Sequence, residues 1–362
     1  MLSTHVDGIK GTGEQETIDF VLSILTKEFG KLKTVYDNFI HCGIAHETLD
    51  DGTLVLHQHE YAKQLILMDA LPLAAAKTDA FLTELQHAQY LSLLGGVSWL
   101  VQTRLDIPVY VCALQRAATK PRVEHAVRLN RVVKWCKRKK AQLTYRKLST
   151  PTRIVGISDS AFRKEDAKGL AMRGAVIALV ERFDEHPGGA CHILDFYARK
   201  QRRVTRSTYS AELNAASDAY EFSKLIALTV AEVIKPYPSI SSLMCLEETG
   251  SFPACVELVL DARSVYDSLV AAELKAPTEI SLIMFLAQLK EQMMCWSLKR
   301  LWWVDTRDMV ADGLNKGAIS RMGLLQLANS GRWDLLYKAH GFSETRYAPI
   351  LSQKALIQMD GE

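Results

Sequence analysis

The stretch Arg153 to Phe162, RIVGISDSAF, constrains this chain more than any other. A short apolar run of this kind reads as a buried central β-strand, and it delivers a single carboxylate, Asp159, near its end. Three more acids occupy comparable positions downstream: Glu212 early in a long predicted helix, Asp261 at the end of VELVLD, and Asp312 in a late short helix. One acid at a strand end is an ordinary cap. Four carboxylates delivered by elements that a single sheet can bring together predict a divalent-metal site of the kind that cuts a phosphodiester.

The elements around these acids follow from local pattern. Arg153 to Ser160, Arg173 to Arg182 and Ala190 to Ala198 read as three strands, and the short loops between them, containing Lys168-Gly169 and Pro187-Gly188-Gly189, favour an antiparallel meander. A basic loop from Lys200 leads to a cap at Ser207 or Thr208 and a helix to about Val233. Its Glu212, Ala215, Ala216 and Ala219 share one face. A face of small residues lets a helix lie close to a sheet, which would bring Glu212 within reach of Asp159. VELVLD (Val256 to Asp261) reads as a parallel strand, followed by helices Ala262 to Leu274 and Thr278 to Met294, a strand Ser297 to Val304, a helix Thr306 to Asn315 and a last helix Gly331 to His340. In an open mixed sheet the site lies at the carboxyl ends of the strands, where Asp159 and Asp261 fall. Asp308 reads as a favourable charge in a first helical turn rather than a ligand, and Trp302 and Trp303 read as core and interface filler.

Ahead of residue 149 the pattern changes. Met1 to Thr12 predicts a hairpin turning at Asp7-Gly8, and Glu14 to Phe29 an amphipathic helix. Strands Val35 to Glu47 and Leu54 to His57 flank the turn Asp50-Asp51-Gly52, and a helix restarts over Gln58 to Leu67. The alanine-rich Leu71 to Thr83 connects to helices Tyr90 to Leu100, Val109 to Ala117, with Pro108 suited to its first turn, and Val123 to Lys140. The chain divides into residues 1–70, a helical stretch 71–148, a sheet-containing stretch 149–345 and a tail 346–362.

Net charge of +3 decides little, because the basic residues are clustered. The tract Lys134 to Lys147 carries no acid, and its Lys137, Arg138, Lys139 and Lys140 are candidate phosphate contacts, as are Arg202, Arg203 and Arg206. A solvated charge run, or for the first group a complement to the helix dipole, accounts for the same residues. Seven cysteines without a CxxC pair give neither a zinc knuckle nor a disulfide framework. No apolar run reaches the length of a membrane span. The expectation is a soluble intracellular protein, cytoplasmic or nuclear, with no membrane partner and an oligomeric state the sequence leaves open.

Several blocks in series resemble a known family. HVDG, DNFIHCGI, HQHEYAKQL, YLSLLGGVSWLVQTRLDIPVYV and the P-x-x-x-H of Pro121 to His125 before RLNRVVKW resemble successive landmarks of copia-type retrotransposon reverse transcriptases, over about the first 148 residues. The resemblance is closer in the second half. ISDSAF, ARKQRRVTRSTYSAEL, LVLDARSVYDSL and DTRDMVADGLNKG resemble the blocks of the copia-type ribonuclease H domain.

What the resemblance implies is an α/β (α+β) chain: a ribonuclease H-like mixed five-stranded sheet with flanking helices, preceded by a partial reverse transcriptase palm and a helical thumb or connection. It implies Asp159, Glu212, Asp261 and Asp312 as catalytic ligands of two Mg2+ ions, with Mn2+ as the alternative, and an RNA–DNA hybrid as the partner. Two departures stand out. Ala262 replaces the family's asparagine and Asn315 its threonine, and neither change removes a ligand. In the polymerase hairpin the family's paired aspartates become Asp7 and Gly8, and the fingers and upstream palm strand would precede Met1. A two-metal polymerase needs carboxylates for both ions, so Asp7 is expected to be a remnant and DNA polymerisation absent. The rival expectations are a catalytically silent nucleic-acid-binding remnant and an integrase- or resolvase-like nuclease of the same fold.

Overall fold

The computed structural model describes residues 2–5, 8–69, 77–162, 170–202 and 204–345. Asp7 and Arg203 lie outside the described residues. Strands β1 (Leu2–His5) and β2 (Gly8–Gly11) pair antiparallel with His5 opposite Gly8, so Gly8 belongs to β2 rather than to the expected Asp7-Gly8 turn, and the turn itself lies outside the described residues. Helix α1 (Gln15–Phe29) follows and buries none of its residues. The segment expected as one strand from Val35 is two, β3 (Phe39–His41) and β4 (Ile44–Thr48), because Cys42 and Gly43 both adopt positive φ and turn the chain back on itself. Next come β5 (Leu54–His57), α2 (His59–Gln64), α3 (Glu84–Leu100), α4 (Pro108–Gln115) and α5 (Val123–Arg138).

Local chemistry sets these boundaries. Thr83 and Gln86 form a reciprocal capping box at the start of α3, and Pro108 occupies the first turn of α4, where its missing N–H leaves no bond unmade. The helices share an apolar core that includes Tyr90, Val97, Ile107, Leu129 and Val133. At the corner between α3 and α4, the buried guanidinium of Arg104 meets Asp106 through two hydrogen bonds of 2.8 and 2.7 Å and donates to the Lys139 carbonyl at 2.6 Å. The stretch 71–148, expected as a helical region, ends in a strand: β6 (Leu143–Tyr145) returns to pair with β5 and completes a four-stranded antiparallel sheet β3-β4-β5-β6.

The larger sheet begins with β7 (Thr152–Ala161), β8 (Met172–Glu181) and β9 (Gly189–Lys200), an antiparallel meander. Helix α6 (Thr208–Ile234) crosses over, with Ser207 as its cap. It is followed by α7 (Ile240–Thr249), β10 (Cys255–Leu260), α8 (Arg263–Val270), α9 (Ile283–Met294) and β11 (Leu298–Trp303). Short helices α10 (Asp312–Asn315) and α11 (Met322–Ser330) and strands β12 (Arg332–Trp333) and β13 (His340–Phe342) complete the described fold. β10 runs parallel to both β7 and β11, and the order is β12-β9-β8-β7-β10-β11-β13. Five strands were expected and seven are present, because two short edge strands join a central five. The mixed α/β character is as expected.

Three other expectations need correction. The last helix covers Met322–Ser330, ahead of the expected Gly331 to His340, because Gly331 adopts φ +59° and terminates it there. The expected continuous helix from Thr306 is a 3₁₀ turn, Thr306–Asp308, and the separate α10. The helix expected to reach Leu274 stops at Val270.

Apolar layers cover both faces of the sheet. One is built with α6, α8 and α9 around Leu213, Ala216, Tyr220, Leu258 and Leu289; the other lies under α10 and α11 around Ile157, Val176, Leu314 and Leu327. Two glycines set how closely the covering elements approach. A Cβ on Gly156 of β7 would collide with Ser223 Oγ and come within 3.4 Å of the Ala219 carbonyl, both on α6. A Cβ on Gly174 of β8 would stand 2.5 Å from Leu314 Cβ and 3.2 Å from the Ala311 carbonyl at α10. Gly174 is the register partner of Asp159. The helices bearing Glu212 and Asp312 therefore rest directly on the strand pair that carries Asp159.

Candidate metal centre

The register of the parallel strands brings the first two acids together. Val259 of β10 pairs with Ile157 of β7. Continued two residues further, that register sets Asp261 beside Asp159 on the same face, since neighbouring parallel strands keep their side-chain alternation in step. α6 supplies Glu212 from its second turn. One carboxylate oxygen from each of Asp159, Glu212 and Asp261 lies within 4.8 Å of the others. Asp159 and Glu212 are buried and Asp261 is half-buried, at one wall of an open cleft of about 570 Å³ that Thr208, Tyr209, Ser264, Thr306 and Lys316 also line.

Asp312 stands one step out. Its carboxyl hydrogen-bonds with Asp159, and its Oδ1 pairs with the Lys316 ammonium, which also lies 3.2 Å from Asp159 Oδ2. Three of the four expected carboxylates thus share one tight set, and the fourth joins it through Asp159 and a lysine. Asn315, fully buried, donates its Nδ2 to Asp159 Oδ2 at 2.7 Å. The Thr306 side chain hydrogen-bonds to Asp261, and Trp303 Nε1 fixes the Asp261 carbonyl at 2.9 Å.

Electrostatics follows from crowding acids in a buried place. Burial, then the hydrogen bond and charge of Asp312, raise the proton affinity of Asp159 against the pull of Lys316 and Asn315. Burial, then the charges of Asp159 and Asp261, raise that of Glu212. Asp261 is pushed up to about 6, by burial and then by Asp159. Burial works against the charged Lys316 amine, but the Asp159 charge and the Asp312 hydrogen bond outweigh it and hold its pKa above the usual lysine range. A cluster with these properties is short of positive charge. The donor set is all oxygen, which suits a hard divalent cation.

The remaining expected residues separate. Asp308 is buried and accepts the backbone N–H groups of Leu336 and Tyr337 at 2.9 to 3.2 Å, so it pins that turn and is not part of the acidic set. Arg202 and Arg206 are exposed, and Arg206 lines a neighbouring cleft with Ser207, Ser268 and Lys275. Lys137, Arg138, Lys139 and Lys140 are exposed but do not form one face: Arg138 lines a groove with Tyr110 and Trp135, whereas Lys140 lines another with His57 and His59. All seven cysteines are free, and among the described residues no helix is long and apolar enough to cross a membrane.

Sequence reasoning missed Lys316, Thr306 and the donor role of Asn315. The spacing of Asp312 and Lys316, four apart on a helical stretch, was the available sign of their pairing. No protein-family model matches the sequence, and a search of curated proteins found no match.

Proposed function

We propose that this chain is a metal-dependent ribonuclease H of copia-type retroelement descent, hydrolysing the RNA strand of RNA–DNA hybrids beside a polymerase remnant that does not extend primers. The observation that carries the reading is the meeting of Asp159, Glu212 and Asp261 at the carboxyl ends of two adjacent parallel strands. The central strand order β9-β8-β7-β10-β11, with a three-strand meander followed by two parallel strands, supports a ribonuclease H-like domain. The buried acids, their raised proton affinity and the oxygen-only donor set fit Mg2+ or Mn2+.

Bound there, two divalent ions would activate a water toward the phosphorus and stabilise the departing 3′ oxygen, leaving a 5′-phosphate and a 3′-hydroxyl. The chain's own part is positional and electrostatic. Asp159, Glu212 and Asp261 would hold the cations, and Asp312 would serve as the fourth acid at the side of Asp159. Asn315 holds Asp159 by donating to its Oδ2. Arg202 and Arg206, in the loop ahead of α6, together with their sequence neighbour Arg203, would meet backbone phosphates, and contacts to 2′-hydroxyls would distinguish the RNA strand.

One observation favours a second reading, the catalytically silent nucleic-acid-binding remnant. The Lys316 ammonium pairs with both Asp159 and Asp312 and competes with a cation for them. A labelled RNA–DNA hybrid incubated with the full chain and Mg2+ separates the two. Cleavage that disappears in Asp159→Asn supports the nuclease; salt-sensitive binding without cleavage supports the silent remnant. Faster cutting of duplex DNA than of hybrid would move the assignment to an integrase-like enzyme, and templated primer extension would overturn the loss of polymerase activity.

A further inference from the structure

The buried guanidinium of Arg321 makes three hydrogen bonds, all to uncharged oxygens. Nη2 donates to the Lys316 carbonyl at 2.6 Å, Nη1 to the Gly313 carbonyl, and Nε to the Tyr110 phenol oxygen at 3.0 Å. The guanidinium also lies over the Tyr110 ring, 4.9 Å from its centroid. Tyr110 belongs to α4, in the helical region, and its hydroxyl donates in turn to the Gly317 carbonyl at 2.9 Å. Two side chains, one contributed from more than 200 residues away, thus hold the carbonyls of residues 313, 316 and 317.

Those carbonyls belong to the segment that presents Asn315 and Lys316 to Asp159. Asn315 is fully buried, yet its Oδ1 has no hydrogen-bond partner. Its side chain is therefore oriented by the single bond from Nδ2 to Asp159 and by the backbone beneath it. Removing a guanidinium from water is expensive, and an apolar side chain of similar volume generally stabilises a core as well or better. What such a side chain could not do is hold two carbonyls and a phenol in one fixed fan.

We propose that Arg321 and Tyr110 are positioning residues of the metal centre: they fix residues 313–317 so that Asn315 and Lys316 meet Asp159. The helical region ahead of residue 149 is then part of the construction of the site. The effect on metal binding rests on the reading proposed above, whereas the fixing of the segment does not.

The test uses the full chain as wild type, Tyr110→Phe, which keeps the ring and removes only the hydroxyl, and Arg321→Gln. Amide hydrogen exchange is followed across peptides covering residues 312–320, Mn2+ affinity is measured by calorimetry, and hybrid cleavage is resolved into kcat and KM at graded Mg2+. Both variants are expected to speed exchange in that segment selectively. They should weaken Mn2+ binding by about 10-fold for Tyr110→Phe and up to about 100-fold for Arg321→Gln, the loss of the Asn315 hold on Asp159 outweighing the release of the competing Lys316. The Mg2+ concentration for half-maximal kcat should rise while KM for the hybrid stays the same. Unchanged exchange in 312–320 overturns the proposal, as does a fall in thermal midpoint with Mn2+ affinity intact, which would mark the pair as merely structural. If the wild type binds no metal and cuts nothing, the nuclease reading fails, and the exchange measurement still decides whether the two residues fix the segment.

Discussion

Helices α1 and α6 are both long, amphipathic and near a hairpin or meander, yet they are opposites in packing. α1 buries no residue, and Phe20 and Phe29 are 65 % and 76 % exposed. α6 buries thirteen, among them Glu212, and lies on β7 closely enough that only a glycine fits beneath Ser223. A carboxylate cluster with raised proton affinity needs neighbours that cannot move aside, since repulsion among its members would otherwise spread them apart. The sheet region provides such neighbours. The region of β1, β2 and α1 does not, so a site built there would need packing from elsewhere. The acidic cluster, and with it the proposed chemistry, accordingly sits in the well-packed second half of the chain.

The largest effect that would break this comparison lies in the acids. Asp159→Asn should lower hybrid cleavage by about 10³-fold or more, roughly 4 kcal/mol of barrier, read from single-turnover rates at saturating Mg2+. Asp7→Asn should leave the same rate unchanged. A loss from Asp7→Asn equal to that from Asp159→Asn would mean that the first half of the chain holds the chemistry after all.

Packing comes next. Leu213 is fully buried beside Glu212, and Leu213→Ala should destabilise the protein by about 2–5 kcal/mol in denaturant unfolding. Phe20→Ser on α1 should change stability by no more than about 0.5 kcal/mol, because its side chain already faces water. Comparable losses from the two would show that α1 is covered in solution.

The sheet region was also the more legible in sequence, and for a related reason. β7 and β10 are buried along nearly their whole length because both of their faces are covered, and each delivers an acid at or just past its C-terminal end; α6 shows a Ser cap and a small-residue face. The edge strands β12 and β13, two and three residues long, are too short to show any period, and β6 borrows its partner from across four described helices. The hidden part of the site has the same character. Lys316 and Asn315 meet Asp159 across more than 150 residues, and Arg321 meets Tyr110 across 211, so no local pattern announces either contact. Asp308 was separable from the ligands by sequence, but its actual partners, the amides of Leu336 and Tyr337, were not.

Glycine substitutions probe the same contrast more gently. Gly156→Ala would force Ser223 and α6 away from β7 and should cost about 1–3 kcal/mol, with a parallel loss of metal affinity as Glu212 moves off Asp159. Gly13→Ala, where an added Cβ meets nothing within 4 Å, should be neutral in both measurements. If Gly156→Ala kept full metal affinity, close seating of α6 would not be what sets the distance between those two carboxylates.

The smallest expected effect is a difference of sign. Acids whose folded pKa is raised bind more protons in the native state than in the unfolded one, so their contribution to stability is present below the unfolded pKa and is lost as pH rises. For Asp261 that window runs from 3.8 to about 6, which bounds the loss at about 3 kcal/mol. Solvent in the open cleft brings it to about 1–2 kcal/mol. In the first half of the chain the shift runs the other way. Burial, followed by the charge of Lys10 for His46 and of His57 for His59, lowers the pKa of both histidines, so their contribution is present above 6.5 and is lost as pH falls. Metal-free protein should therefore lose stability in the larger sheet region as pH rises from about 4 through 6, where Asp159 and Glu212 act in the same direction as Asp261, while the β3-β4-β5-β6 sheet and α2 gain it as pH rises toward 6.5, each followed by region-resolved hydrogen exchange. Saturating Mg2+ should flatten the first trend and leave the second untouched, because only the first arises from carboxylates waiting for positive charge. A common sign in both regions, or a Mg2+ effect on the histidine-bearing sheet, would show that the two halves do not titrate separately.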